Sequence, residues 1–233
     1  MPKLHPTVAP SASVTATVED YLKTIYRLSQ AGQPAATNDI AGFLGLSAPS
    51  VSGMIKRMSG RGLVVHTPYR GVELTAQGRR LALVVLRRHR VLESYLVALL
   101  GYTWDSVHEE AERLEHAVSA ELVERMADAL GNPGYDPHGD PIPTADGAVS
   151  ETVRTSLHDV PVGATAALQR VASDDPDRLR FLGSMGLRPG ALLSVVGRQP
   201  FHGPVTVRVN DRELVIGNQM ASSLYCVISG RAQ

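Results

Sequence analysis

The chain has 233 residues and a single cysteine, and its 23 basic residues equal its 23 acidic ones, so the formal net charge is zero. That length suits one large domain or two to three small ones. Cys226 lies in the apolar run Leu224-Tyr225-Cys226-Val227-Ile228; it excludes an internal disulfide framework and reads as a buried thiol in a reducing, cytoplasmic setting. No apolar stretch reaches the ~18 residues of a membrane span. The zero net charge hides an uneven distribution. Residues 1–100 carry twelve Lys/Arg against five Asp/Glu, and residues 101–131 carry two against eight. A basic front and an acidic middle suit different partners, or are two ordinary solvated helix faces.

Met1 to Ala16 is small, polar and proline-bearing; it lacks the apolar core of a signal peptide and is expected to be disordered. Apolar residues at 18, 22, 25, 26 and 28 predict a helix over Val18–Ser29, ended by Gly32 and Pro34. Thr37 is expected to cap a short helix to Leu44, with Gly45-Leu46 as a tight turn. Ser47 caps a third helix, with Pro49 in its first turn, to about Ser59. Two short strands, Leu63–Val65 and Val72–Leu74, flank the turn Thr67–Gly71. This order is that of a winged helix-turn-helix. Thr75 caps a long helix to about Leu100, Ser106 can cap another to about Val118, and Ser119 or nearby residues start a third that ends at Gly131. Residues 132–147 are rich in Pro, Gly and Asp and read as a loop or linker. Beyond Ser150 come short β-like runs: 153–157, 166–171, 192–196, 205–209, 214–216 and 224–228. With a short helix near 177–185, they read as a small all-β barrel.

Two segments carry chemistry. In the first, Ser47 to Met58, a recognition helix needs small or polar residues in its first turns so that its backbone can approach base edges in the major groove. Ser47, Ser50 and Ser52 can donate to phosphates or bases, and Pro49 can pack on a thymine methyl. Lys56 and Arg57 face outward and, with Arg61 and Arg70, suit phosphates. Val51, Ile55 and Met58 are spaced for the core.

The second segment is His108 to His116. At helical spacing, His108, Glu112, Glu115 and His116 share an arc of about 100°. If that arc faces inward, a metal ion would pair the otherwise costly charges; if it faces outward it is a solvated acidic face. His89 and Glu93 stand i,i+4 on the preceding long helix and invite the same two readings. Glu112-x-x-Glu115-His116 is not the His-x-x-Glu-His of inverted zinc peptidases, which disfavours a hydrolytic site.

Five stretches together resemble the diphtheria toxin repressor family of iron- and manganese-dependent repressors: Glu19 to Tyr26, Ser47 to Val65, Arg88-His89-Arg90, His108 to His116 and Gly139-Asp140-Pro141-Ile142-Pro143. The resemblance runs from about Val18 to Ile228. It implies an α+β multidomain chain: a disordered start at 1–16 and a winged helix-turn-helix at 17–75, then an all-helical dimerisation and metal-binding domain at 76–131. A flexible linker at 132–150 and an SH3-like β-barrel at 151–233 complete it. It also implies a homodimer that binds double-stranded operator DNA as a transcriptional repressor of metal-homeostasis genes, with no enzymatic activity, no small organic substrate and no membrane partner. The family's primary metal site matches Asp20, Glu112, Glu115 and His116. Its ancillary site matches His89, Glu93 and His108, completed by an acid within Asp174–Asp177, of which Asp175 is the first choice and Asp177 the next.

Iron-selective members of that family have Met and Cys where this chain has Asp20 and Glu112, whereas manganese sensors have carboxylates. One manganese subgroup has Glu in place of Lys23, so its paired-metal arrangement does not carry over. Some members have a base-contacting Gln in place of Gly53, so the operator sequence does not carry over either. Three carboxylates and an imidazole form a hard set that suits Mn²⁺, with Fe²⁺ next; Zn²⁺, Co²⁺, Ni²⁺ and Cd²⁺ are expected to bind in vitro. Two other readings fit the residues: a winged-helix regulator that answers iron or a non-metal signal, and a dinuclear carboxylate metalloenzyme, which would need an open coordination position.

Overall fold

The structure, a computed structural model, describes residues 14–29, 32–149 and 153–231. The expected disordered start therefore lies outside the described residues up to position 13. The chain forms two compact units, Met1–Leu86 and Arg87–Gln233.

The first unit contains helices α1 (Ala16–Leu28), α2 (Thr37–Leu44) and α3 (Ala48–Gly60), strands β1 (Val64–Thr67) and β2 (Gly71–Leu74), and the start of α4 (Ala76–Leu100). Leu22, Ile25, Ile40, Val51, Ile55, Met58 and Val72 are fully buried, so the apolar positions of each helix point to one core. Gly45, at φ 64°, ends α2 in the left-handed conformation that the sharp α2–α3 turn requires. Ser47 caps α3 by accepting from the Ser50 N–H at 3.4 Å. The expected cap Thr37 is instead the first residue of α2; Ala36 takes the extended cap backbone and no side chain caps this helix. The wing strands pair antiparallel from Val64–Leu74 to Thr67–Gly71. Thr75 caps α4 through the Gly78 N–H at 3.1 Å. Gly78 packs so tightly that a Cβ there would lie 2.0 Å from the Leu63 carbonyl oxygen.

The second unit begins in α4 and continues through α5 (Val107–Leu114) and α6 (Ala120–Ala129). The second of these helices ends four residues before the Val118 expected of it. Ser119 takes an extended cap backbone and accepts from the Leu122 N–H at 3.1 Å, so the chain must leave the helix before it. Val91, Val123, Ala127 and Ile142 form a small core.

Strands β3 (Thr155–Ser156), β4 (Ala164–Val171), β5 (Leu192–Arg198), β6 (Val205–Val209), β7 (Arg212–Ile216) and β8 (Leu224–Arg231) follow, with α7 (Pro176–Ser184) and α8 (Asn218–Ser222) between them. They form one antiparallel sheet in the order β3-β8-β4-β5-β6-β7. Its bulges, in β4–β8 and β5–β6, curve it around Leu157, Leu168, Leu179, Leu182, Val195, Val207 and Cys226. Burial pushes the Cys226 thiol up to about 12, as suits an inert core residue.

The segment between helices and sheet departs from its composition. Its Pro/Gly content reads as a flexible tether, yet its backbone is tied down. Ile142 N–H donates to the Gly134 carbonyl and Val171 N–H to the His138 carbonyl, both at 2.9 Å. Arg87 and Arg90 donate from α4 to the carbonyls of Pro143 and Pro141, at 2.8 and 2.6 Å. Gly139, at φ +85°, lies so close to β4 that a Cβ would meet the Gln169 carbonyl oxygen at 1.7 Å. Among the described residues no helix is long and apolar enough to cross a membrane.

Candidate functional site

In the first unit the expected DNA-contacting residues stand on one exposed element and its neighbouring turn. Ser47, Pro49, Ser50, Ser52, Lys56 and Arg57 are exposed on or at the start of α3, and Arg70 is exposed in the wing turn. The serines are pre-set by local bonds: Ser47 and Ser50 hydroxyls share a hydrogen bond at 2.9 Å, and Ser52 donates to the Ala48 carbonyl at 2.9 Å. Tyr69, in the wing turn with φ 63°, is fully exposed. Asp20 lies half-buried on α1, and Lys23, three residues on, is buried.

In the second unit, α4 and α5 bring the histidines and carboxylates together. The i,i+4 spacing of His89 and Glu93 puts both on the buried side of α4. His89 donates from Nδ1 to Glu115 Oε2 at 2.6 Å. Its Nε2 then faces Glu93 Oε1 at 3.0 Å and His108 Nδ1 at 3.1 Å, and His108 Nδ1 is 3.1 Å from the same Glu93 oxygen. The three donor atoms make a nearly equilateral triangle. First-row divalent ions hold N and O ligands at about 2.1 Å, so neighbouring ligands of an octahedral ion lie about 3.0 Å apart. The triangle therefore has the size of one octahedral face.

Glu112, Glu115 and His116 adjoin this triangle. Glu115 is fully buried at the end of α5. One of its oxygens accepts the hydrogen bond from His89 Nδ1–H, and the other lies 3.4 Å from His116 Nε2. Glu112, about one-third exposed, places Oε1 3.8 Å from His89 Nδ1 and 3.5 Å from His108 Nε2. The acids expected from the sheet region sit differently. Asp175 caps α7, its Oδ1 accepting from the N–H groups of Asp177 and Arg178 at 2.9 and 3.1 Å. Asp177 pairs with Arg180. The acid that reaches the histidines is Asp174, whose Oδ2 is 3.8 Å from His108 Nε2. It faces the ring nitrogen opposite the triangle.

Two further residues come from the segment read as a linker. His138 is buried, and its Nε2 donates to the Trp104 carbonyl at 2.6 Å. Asp136 is also buried; its Oδ1 accepts from the backbone N–H of His138 and of Asp140, both at 2.9 Å, and its Oδ2 is 3.5 Å from Arg90 Nε. Burial pushes the Asp136 carboxyl up to about 7, helped by the Glu93 and Asp140 charges and opposed by Arg90. Burial works to lower His138, but its contact with Glu93, the Asp136 charge and the Trp104 carbonyl carry it up to about 9. Burial likewise opposes ionisation of Glu93, yet His89, His108 and His138 around it hold its carboxyl well below the ordinary range. The only sequence signal for this pair was two ligating residue types, Asp136-x-His138, in an otherwise structural Pro/Gly stretch.

Comparison with known proteins covers nearly all of the chain. Residues 13–72 match the family described as iron dependent repressor, N-terminal DNA binding domain. Residues 75–144 match the metal binding and dimerisation domain of the same repressors, and residues 155–227 match the FeoA domain. The chain is 35% identical to the iron-dependent repressor IdeR of Mycobacterium leprae (strain TN), over 77% of its own length and 83% of the relative's. It is 31% identical to the diphtheria toxin repressor of Corynebacterium diphtheriae, over 89% and 95%. Among solved structures, a manganese-dependent transcriptional repressor in complex with manganese superposes with a TM-score of 0.86 at 39% identity, covering 91% of this chain and all of that one. The manganese regulator SloR superposes at 0.78 with 35% identity, covering 91% and 98%. With a DNA-binding helix-turn-helix, a metal-binding and dimerisation domain and a FeoA domain in unbroken succession, this chain belongs to the iron-dependent, or diphtheria toxin, repressor family of metal-dependent DNA-binding transcriptional repressors, which are not enzymes.

Proposed function

We propose that this repressor answers manganese, and that it acts as a homodimer on operator DNA to control metal-homeostasis genes. The observation that carries the metal reading is the triangle of His89 Nε2, Glu93 Oε1 and His108 Nδ1, with edges of 3.0–3.1 Å. Its size suits octahedral coordination of a first-row divalent ion, and the preference for manganese comes from the carboxylates of the neighbouring set. His89, Glu93 and His108 form the ancillary set, and Asp174, near the other His108 ring nitrogen, is the acid of the 174–177 stretch that comes nearest to it. Glu112, Glu115 and His116, with Asp20 assigned by its sequence motif, form the primary set, and their three carboxylates favour manganese over softer ions. Among the solved relatives, one is in complex with manganese and another, ScaR, has bound Zn²⁺ or Cd²⁺. The name of the mycobacterial relatives points instead to iron.

Metal loading fixes the DNA-binding form because carboxylates that repel one another when empty are drawn together by the ion. A ligand that binds one conformation better shifts the population toward it. Ser47, Pro49, Ser50, Ser52, Lys56, Arg57 and Arg70 then meet the duplex, the serines and proline at base edges and the cations at phosphates.

The test is fluorescence anisotropy on duplexes selected by the manganese-loaded chain, titrated anaerobically with free Mn²⁺ and Fe²⁺ in parallel. Binding should appear with manganese, vanish with chelator and fail at the same manganese concentration in His116→Ala. Binding indifferent to chelator, or His116→Ala switching at the wild-type concentration, would overturn the reading.

A further inference from the structure

Glu93 uses only one of its oxygens in the triangle. Its Oε2 points the other way, to His138 Nδ1, at 3.6 Å. The His138 Nε2 proton is committed to the Trp104 carbonyl, which can only accept. With its proton released, Nδ1 presents a lone pair toward a carboxylate, so an ion could take the proton's place between them. A gap of 3.6 Å is too long for a hydrogen bond. It is close to the separation of two ligands on one tetrahedral ion, about 3.4 Å for bonds of about 2.1 Å. Asp136 supplies a third donor: ligand atoms of Glu93, Asp136 and His138 all lie within 4.8 Å of one another, and all three residues are buried.

The local charges also call for a cation. Glu93, Asp136 and Asp140 stand against two guanidiniums, of which Arg170 lies 2.9 Å and Arg90 3.1 Å from Asp140. A divalent ion placed among these carboxylates would meet their negative charge directly.

We propose that Glu93, Asp136 and His138 bind an additional divalent metal ion, with the Glu93 carboxylate bridging it to the ion at His89 and His108. Two hard oxygens and one imidazole suit manganese, iron or zinc. The site has its own donors and rests on the ancillary reading only for the bridge. Occupied, it would tie the 134–142 turn to α4, so that metal supply also sets how firmly this turn is held.

The experiment is a count of bound ions per full-length chain, by native mass spectrometry and by equilibrium dialysis against saturating Mn²⁺ and Zn²⁺. Wild type should hold three ions. His138→Gln and Asp136→Asn should each lose one, and the double variant His108→Ala/His116→Ala should still keep one. Thermal unfolding of the metal-free variants checks that they fold; if either single variant does not, the wild-type and double-variant counts decide. Equal counts in wild type, His138→Gln and Asp136→Asn would overturn the site, as would a double variant with no ion, leaving His138 a buried imidazolium. A count of three in His108→Ala alone would instead sink the ancillary set and leave this site standing.

Discussion

His89 uses both of its ring nitrogens, Nδ1 on Glu115 and Nε2 toward Glu93 and His108, so one side chain connects the two proposed metal sets. Glu115→Ala strands the buried Nδ1–H without an acceptor. This should cost the metal-free chain about 1–3 kcal/mol, read from urea unfolding in chelator. Glu112 is partly exposed, and Glu112→Ala should change that stability by no more than about 0.5 kcal/mol. Its effect belongs to metal choice. The pair Glu112→Cys and Asp20→Met should move activation from manganese toward iron, cobalt or nickel, because thiolate and thioether favour softer ions. Operator binding against free metal, measured without oxygen, checks this; an unchanged order of metals would contradict the hard-ligand argument. These residues were legible because helical spacing groups them. His138 and Asp136 were not, because only the folded turn brings them to Glu93. Asp174 and Asp175 could not be told apart in sequence, since either can cap a helix and the backbone decides which does.

At the scale of elements, capping and apolar spacing located α1, α3, α4 and α6 well, since Ser47, Thr75 and Ser119 all act as the caps their side chains suggest. They failed where no local rule decides. Composition cannot report that a Pro/Gly segment finds backbone partners in a neighbouring strand and helix, and five-residue α8 has too few positions to show a period. The tightest backbone approach lies in that segment. Gly139 combines a positive φ with a 1.7 Å clearance to the Gln169 carbonyl. Gly139→Ala should therefore destabilise the second unit by at least about 2–3 kcal/mol, through strain and overpacking together. Differential scanning calorimetry should show the lowered transition; a wild-type profile would mean that the turn does not rest on β4.

At the scale of the whole molecule, repression through a two-fold operator needs two copies. The apolar run from Val91 to Leu100 lies in the dimerisation domain and is a candidate contact surface. The structure divides it: Val91, Leu92 and Leu96 are buried, while Leu99 and Leu100 are more than half exposed, with Tyr102 and Leu122 also exposed. Apolar side chains of this size gain about 1.5–3 kcal/mol each when buried. Leu99→Glu with Leu100→Glu should therefore turn a dimer into a monomer at micromolar concentration, with the fold kept. Sedimentation velocity reads this directly, and an unshifted dimer would place the interface elsewhere.

The tied-down turn has one more consequence, for how the chain yields to proteases. Proline- and glycine-rich connectors are ordinarily where a folded protein is nicked first, because their backbone is free to enter a protease cleft. Here the carbonyls of Gly134, His138, Pro141 and Pro143 are already engaged, and Ile142 and Pro143 are buried. Gly134 and Tyr135 are exposed, residues 136–143 are buried or half-buried, and exposure returns at Thr144. Digestion should accordingly spare residues 136–143 and release a fragment that still carries the turn with its helices, so that a shortened repressor made by cleavage would keep His138 and lose the sheet.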